Sequence, residues 1–266
     1  PTERAYYFGT HFFNPPYKML LCEFISHAES DPTAILFMID YLERKLGRKV
    51  VVTKDKPGFA ANRIGFQMLN EQAQFAEKYQ ERGGIAYIDS LMGNFTGRAL
   101  PPMATIDLVG LDIHAAIVNN LYSETRDAVH ATFKLPNYIQ KLMDLGNLGN
   151  KTGAGLYQLI DGKLHQFNIK TFEYEPVIKY KSQLLNKVKN NVASGDYERA
   201  VNLIIDSDET DAEVISYFYA KYVSYSYSLI GKVVDTKEDI DRVMGYGFNW
   251  VPPGALIDLL GGSVKV

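Results

Sequence analysis

The 266-residue chain has a single cysteine, Cys22, so no internal disulfide and no cysteine-based metal site can form within one chain. It has no apolar run near the roughly 20 residues that a membrane-spanning helix needs. Its first residues, Pro1-Thr2-Glu3-Arg4, lack the basic start and apolar stretch of a signal peptide. There is no initiator methionine, which raises the expectation of a segment taken from a longer chain. There is little net charge, −3, which argues against a dominant nucleic-acid or anionic-membrane surface. What is present is ordinary for a globular protein: 46% hydrophobic and 22% charged residues. The lone cysteine fits a reducing compartment.

The pattern along the chain changes once. Residues 6–13 and 20–25 are short aromatic and apolar runs of strand character. Asp31-Pro32 supplies a helix cap followed by a first-turn proline. Ile35, Met38, Ile39 and Leu42 then recur at helical spacing, Gly47 stops the helix, and residues 50–53 form a β-branched strand. This is the end of a sheet domain, too small to cover both faces of a parallel sheet. From Pro57 onward the rhythm is helical: a long helix over 62–82, then 85–92, 103–109, 113–121 and 136–145. Residues 156–160 and 163–167 flank Asp161-Gly162, the signature of a tight hairpin. Residues 170–180 read as a surface connector, followed by helices over 181–192, 197–205 and 212–230. The five tyrosines of the last helix, Tyr217, Tyr219, Tyr222, Tyr225 and Tyr227, read as packing residues before they read as a ligand box.

A repeat runs through the helical part. Ile88-Asp89-Ser90-Leu91-Met92-Gly93 matches Ile240-Asp241-Arg242-Val243-Met244-Gly245. Pro101-Pro102 followed by Ile106-Asp107-Leu108-Val109-Gly110 matches Pro252-Pro253 followed by Ile257-Asp258-Leu259-Leu260-Gly261. One residue of gap aligns both blocks, and a long helix precedes each. Duplication of a helical unit, with the two copies packed face to face, is the expectation.

Chemistry concentrates near the N-terminus. A histidine beside two phenylalanines, as in Gly9-Thr10-His11-Phe12-Phe13-Asn14-Pro15-Pro16, is ordinarily a core residue. Glu23, twelve residues on, alters that reading. If the two strands are neighbours, its carboxylate reaches the imidazole, fixes its tautomer and raises its basicity, which suits a general base. Pro57-Gly58 then breaks the chain ahead of the long helix, leaving Asn62 near a helix N-terminus at a domain junction. Asn62 reads either as an N-cap or as an amide facing a substrate oxygen in the cleft. Lys151-Thr152-Gly153 lacks the upstream spacing of a phosphate loop and precedes a strand, so it reads as a structural turn.

Taken together, His-Phe-Phe-Asn-Pro at 11–15, the glutamate at 23, Pro-Gly-Phe-x-x-Asn-Arg at 57–63, the Ile-Asp-Leu-Val-Gly-Leu-Asp run at 106–112 and Gly-Asn-Leu-Gly-Asn-Lys-Thr-Gly-Ala-Gly-Leu-Tyr at 146–157 resemble the L-3-hydroxyacyl-CoA dehydrogenases of fatty-acid β-oxidation. The tandem repeat resembles the long, multifunctional forms. The resemblance implies a mainly α fold: tandem helical C-terminal domains preceded by the α/β remnant of a Rossmann domain. The implied boundaries are 1–55 for the NAD-binding remnant, 56–160 for the first helical domain, 161–207 for hairpin and connector, and 208–266 for an incomplete second repeat. It implies that His11 is the base, Glu23 its support, Asn62 a ligand of the substrate's acyl oxygen and Asn14 a neighbour of the nicotinamide. NAD is the implied cofactor and acyl-CoA the implied substrate. A fused or associated enoyl-CoA hydratase, a homodimer and a cytoplasmic location are further implications. The family's serine ahead of His-Phe-Phe-Asn-Pro has no position here, and no Gly-x-Gly-x-x-Gly occurs anywhere, so the isolated chain is expected to be inactive. A non-catalytic helical association module is the alternative.

Overall fold

A computed structural model of the chain describes residues 3–262. Its first layer is a three-stranded sheet in the order β1 (Gly9–Phe12), β2 (Leu21–Ser26), β3 (Lys49–Lys54). The central strand β2 is antiparallel to β1 and parallel to β3, with His11 directly opposite Glu23. The parallel step is closed by helix α1 (Pro32–Asp40), which starts where Asp31 accepts the Ala34 amide at 2.8 Å and continues through one wide turn, Tyr41–Lys45. Ile35, Met38, Ile39 and Leu42 turn inward onto Cys22, Phe24 and Val50, which makes a small separate core. The strand expected over 6–13 is shorter than its sequence pattern. Arg4–Tyr6 is a 3-10 turn, and Tyr6 and Tyr7 are exposed with no strand beside them among the described residues.

The rest is helical around one large core. Helices α2 (Ala61–Lys78), α3 (Gly84–Leu91), α4 (Pro102–Val109), α5 (Leu111–Glu124) and α6 (Asn137–Asp144) form the first group. The hairpin follows as β4 (Tyr157–Ile160) and β5 (Lys163–Phe167), turning through Asp161 and Gly162, both at positive φ as a primed turn requires. A third strand, β6 (Tyr174–Pro176), pairs with β5 inside the segment expected to be connector. Its three residues are too short a run to carry a pattern, and the pairing comes from the edge that β5 offers.

The glycine-rich stretch at 146–157 is a turn that docks on α4. The carboxylate of Asp107 accepts the amides of Leu156 (2.7 Å) and Tyr157 (2.8 Å). A Cβ on Gly155 would lie 2.2 Å from Asp107 Oδ1, and one on Gly149 would lie 2.4 Å from the Asp107 carbonyl oxygen, so close approach is what demands glycine. Lys151 pairs with Asp112 at the same junction. The two motif segments therefore form one structural joint.

Helices α7 (Gln183–Ala193) and α8 (Tyr197–Ile205) form an antiparallel pair that leads into α9 (Thr210–Ser228), α10 (Lys237–Val243) and α11 (Pro253–Leu259). Helix α9 and the wide turn Met244–Phe248 pack onto the first group, α10 packs onto β2 and β3, and α11 packs onto α9. Phe248 fills the space above Gly65 and meets Phe66 edge-on. The Val251 amide donates to the Gly97 carbonyl at 2.6 Å, and the Arg98 guanidinium stacks on Trp250 at 4.0 Å. No helix among the described residues is long and apolar enough to cross a membrane.

Candidate active site

The sheet delivers two side chains to one point. Because β1 and β2 pair with His11 opposite Glu23, both side chains leave the same face of the sheet. His11 Nδ1 lies 2.7 Å from Glu23 Oε2. Glu23 is completely buried, and its second oxygen, Oε1, accepts the backbone amides of Ala60 (2.9 Å) and Ala61 (3.0 Å). These are the first amides of α2, so the carboxylate also sits at the positive end of that helix. A buried charge is tolerable only when it is bonded on all sides, and this one has three donors. An ionised Glu23 accepts from Nδ1–H, which assigns the tautomer and leaves Nε2 as the basic nitrogen.

Aromatic walls hold the imidazole. The Phe13 ring is centred 4.5 Å from the His11 ring and the Phe59 ring 5.6 Å from it. The His11 side chain remains 26% exposed, so its free edge is open to a reacting molecule. Phe59 and Gly58 both adopt positive φ, which turns the chain sharply from β3 into α2 and aims the helix at Glu23. One turn into α2, Arg63 donates to Asp127 (2.8 Å) and to the Tyr225 hydroxyl (3.2 Å), and Tyr225 donates to Asp127 (3.0 Å). This group fastens the site helix to α9.

The other two candidates are placed less tightly. Asn62 is half-buried and is the second residue of α2; the N-cap position belongs to Ala60, which has no capping side chain. The N-cap reading of Asn62 is therefore wrong, because Glu23 from the sheet already holds the amides that an asparagine cap would have taken. Asn14 is exposed, two residues beyond β1. Neither side chain makes a hydrogen bond among the described residues. Sequence reasoning missed Phe59, the Ala60 and Ala61 amides, and the Arg63–Asp127–Tyr225 group. Phe59 and Arg63 alone carried a signal, as parts of Pro-Gly-Phe-x-x-Asn-Arg.

No group of residues suited to hold a metal occurs among the described residues. For a dinucleotide, the α/β part offers two helix N-termini. Asp31 occupies that of α1 and Glu23 that of α2, so neither is free to cradle a pyrophosphate. These two N-termini do not fit the phosphates of such a cofactor.

An imidazole held by a buried carboxylate thus lies where the α/β layer meets the first long helix, and the comparisons give the family. Residues 2–56 match the family model described as "3-hydroxyacyl-CoA dehydrogenase, NAD binding domain", and residues 58–159 match "3-hydroxyacyl-CoA dehydrogenase, C-terminal domain". The chain belongs to the 3-hydroxyacyl-CoA dehydrogenase family. It is 31% identical over 264 residues to a "Probable 3-hydroxyacyl-CoA dehydrogenase" of Bacillus subtilis (strain 168), an alignment covering 97% of this chain and 32% of the relative. It is 34% identical over 154 residues to a "Fatty acid oxidation complex subunit alpha" of Shewanella sp. (strain MR-7), covering 58% of this chain and 20% of that one. The chain thus spans about a third or less of the length of these two relatives. The crystal structure of 3-hydroxybutyryl-CoA dehydrogenase from Escherichia coli K12 shares the fold at a TM-score of 0.68 and 18% identity, over 95% of this chain and 63% of that one.

Proposed function

We propose that the chain carries the general-base side of a dehydrogenase that oxidises (3S)-3-hydroxyacyl-CoA to 3-oxoacyl-CoA with NAD in fatty-acid oxidation. The observation that carries this reading is the His11–Glu23 pair, with Glu23 buried and fixed by the Ala60 and Ala61 amides. His11 Nε2 takes the proton of the 3-hydroxyl group. The charge that develops on the imidazole is met at once by Glu23 Oε2, 2.7 Å away. The helix amides keep that carboxylate oriented without any reorganisation during the reaction. Phe13 and Phe59 limit water around the ring. When bound, NAD supplies the hydride acceptor, with Asn14 at its nicotinamide end. Asn62, in the helical turn that holds Glu23, orients the acyl oxygen.

The same reading takes 1–55, 56–160, 161–207 and 208–266 as the working divisions of the chain, with 208–266 a partial copy of the first helical unit. Matching interactions support the duplication. Asp89 accepts the Met103 amide (2.7 Å) at the start of α4, and Asp241 accepts the Gly254 amide (2.9 Å) at the start of α11. Each carboxylate caps a helix opened by the Pro-Pro pair of its own block. A cytoplasmic setting, an enoyl-CoA hydratase partner and a homodimer complete the reading; the buried, unpaired Cys22 agrees with a reducing compartment.

The test is the NAD-linked oxidation of 3-hydroxybutyryl-CoA by the protein in its complete reading frame, wild type against His11→Gln. Near wild-type turnover in the variant, with chemistry shown to limit the rate, would remove His11 as the base. The isolated chain should bind NAD with a Kd weaker than about 100 µM, since the N-termini of α1 and α2 are taken by carboxylates. A low-micromolar value by calorimetry would refute the phosphate argument.

A further inference from the structure

The wall beside His11 is held from the far end of the chain. Phe13 lies two residues beyond His11, and the two rings are 4.5 Å apart. Leu21 and Glu23 share a face of β2, the same face that His11 takes in β1. Phe13 and Leu21 belong to the large helical core, whereas Cys22 and Phe24 face the small one.

The wide turn Met244–Phe248 docks on this face, next to the His11–Glu23 pair. A Cβ on Gly247 would lie 2.7 Å from Leu21 Cδ2 and 3.4 Å from Phe13 Cε1. The Phe248 ring meets the Phe13 ring edge-on, with 6.3 Å between centres. Phe248 is itself wedged: Gly65 of α2 leaves room for its ring, and Phe66 and Trp250 flank it at 6.4 Å and 5.1 Å. It therefore stands between the helix whose amides hold Glu23 and the ring that walls His11. The next residue adds a second hold. Asn249 Nδ2 donates to the Met19 sulfur at 3.6 Å, and Arg48 donates to the Met19 carbonyl at 3.0 Å. The link from β1 to β2 is thus gripped both at Phe13 and at Met19.

We propose that Phe248 is a positioning residue of this site: it presses Phe13 against the imidazole, so that the wide turn of the second helical region sets the aim of His11 Nε2. The proposal rests on the reading of His11 as the base. Of the two aromatic walls, Phe59 is placed by its own turn, while Phe13 leans on Phe248. A packed interior transmits displacement, so space opened behind Phe13 reaches His11 as freedom of the ring. Misplacement of a reacting group by about 1 Å can cost on the order of 10² in rate.

Two readouts separate positioning from packing alone. In the complete reading frame, Phe248→Ala should lower kcat for 3-hydroxybutyryl-CoA oxidation roughly tenfold, with KM within about twofold. Phe248→Leu refills most of the space and should recover most of that loss. Ile204→Ala is the control, a buried truncation on α8, which packs mainly on α7, α9 and α11. It should lower the melting temperature comparably and leave kcat within about twofold. In the chain itself, nitrogen-15 NMR should show the His11 ring protonated on Nδ1 in wild type and in Ile204→Ala, and a mixture of tautomers in Phe248→Ala. Should Phe248→Ala fail to fold, Phe248→Val replaces it with the same expectations. The proposal is overturned if the His11 tautomer is unchanged in the Phe248 variant, if kcat is unchanged there while His11→Gln abolishes it, or if Ile204→Ala moves either readout as far. The tautomer is read without substrate, so it decides the positioning even where His11→Gln keeps its turnover and removes the base reading.

Discussion

The two helical regions share a sequence skeleton, a long helix followed by Ile-Asp, Pro-Pro and Ile-Asp, yet they bury different things. The first long helix, α2, is enclosed nearly all round and takes polar residues into the interior: Arg63, Gln67, Asn70, Glu71 and Gln72. Its counterpart α9 buries mostly apolar and tyrosine side chains, with Asp211 and Ser226 the only other polar residues. In the first region Asp107 is buried and holds the turn at 156–157; in the second, Asp258 is exposed. The α2 N-terminus is occupied by Glu23 of the sheet, while no side chain caps α9. The skeleton fixes helix entry and exit. What docks on each region decides whether it carries chemistry or only packs.

The largest expected effect probes the polar interior of the first region. His114 on α5 is fully buried, with Nε2 3.0 Å from Asn70 Oδ1, and burial depresses its pKa to about 3. The unfolded chain therefore binds a proton that the folded chain refuses between about pH 6.5 and pH 3. The contribution of this group is complete above about pH 6.5 and is lost as pH falls toward 3, on the order of 5 kcal/mol over the window. His114→Gln should lower stability at pH 7 but flatten its decline under acid, measured by urea unfolding at stepped pH. An unchanged slope would mean that the imidazole is not held neutral.

Next comes the chemistry. Glu23→Gln keeps an oxygen for the α2 amides but turns an NH2 toward His11, which forces Nδ1 to accept and places the proton on Nε2. Turnover should fall on the order of 10² to 10³ with the melting temperature little changed. Asp211→Asn, the buried acid of the other long helix, should alter turnover less than about twofold, the order of scatter of a remote change. A comparable loss from Asp211→Asn would erase the proposed division of labour.

How much of this was legible differs by range. The His11–Glu23 pair could be read because the link between its strands, with two prolines, permits little but antiparallel neighbours. The Asp31 cap and the Asp161-Gly162 turn were equally local. The capture of the Ala60 and Ala61 amides by Glu23 was not legible, since it joins residues 37 and 38 positions apart and depends on how the helix meets the sheet. Nor was the wide turn at Met244–Phe248, which follows from seating Phe248 over Gly65. Tyr6 and Tyr7, ahead of β1, show the opposite failure, a strand pattern without a partner strand among the described residues.

The seam between the regions is the third test. A Cβ on Gly65 would fall 2.1 Å from the Phe248 ring, so Gly65→Ala should cost about 1–3 kcal/mol by overpacking. Phe248→Leu should recover part of that loss, with a coupling of about 1 kcal/mol in a double-mutant cycle. Additive effects would mean that the two regions do not press against one another there.

The smallest effect separates the two caps. Asp241 accepts one amide, that of Gly254, and is half-buried. Asp89 accepts the amides of Met103 and Ala104 and the hydroxyl of Tyr157. If the two carboxylates are equivalent parts of a repeated unit, each truncation should loosen the Pro-Pro helix of its own region. The losses should scale with what is left unbonded. Asp241→Ala removes one cap bond and should cost about 1 kcal/mol, a melting shift of roughly 2–4 °C for a chain of this size. Asp89→Ala strands three donors and should cost at least twice as much. Burial raises the Asp89 pKa to about 7, so part of its bonding strength at neutral pH is offset by the cost of its own charge, and the ratio should stay nearer two than three. Thermal unfolding of the two variants at pH 7 supplies the numbers. Equal losses would show that Tyr157 and Ala104 add nothing to the Asp89 joint, and a larger loss at Asp241 would reverse the order of the two regions.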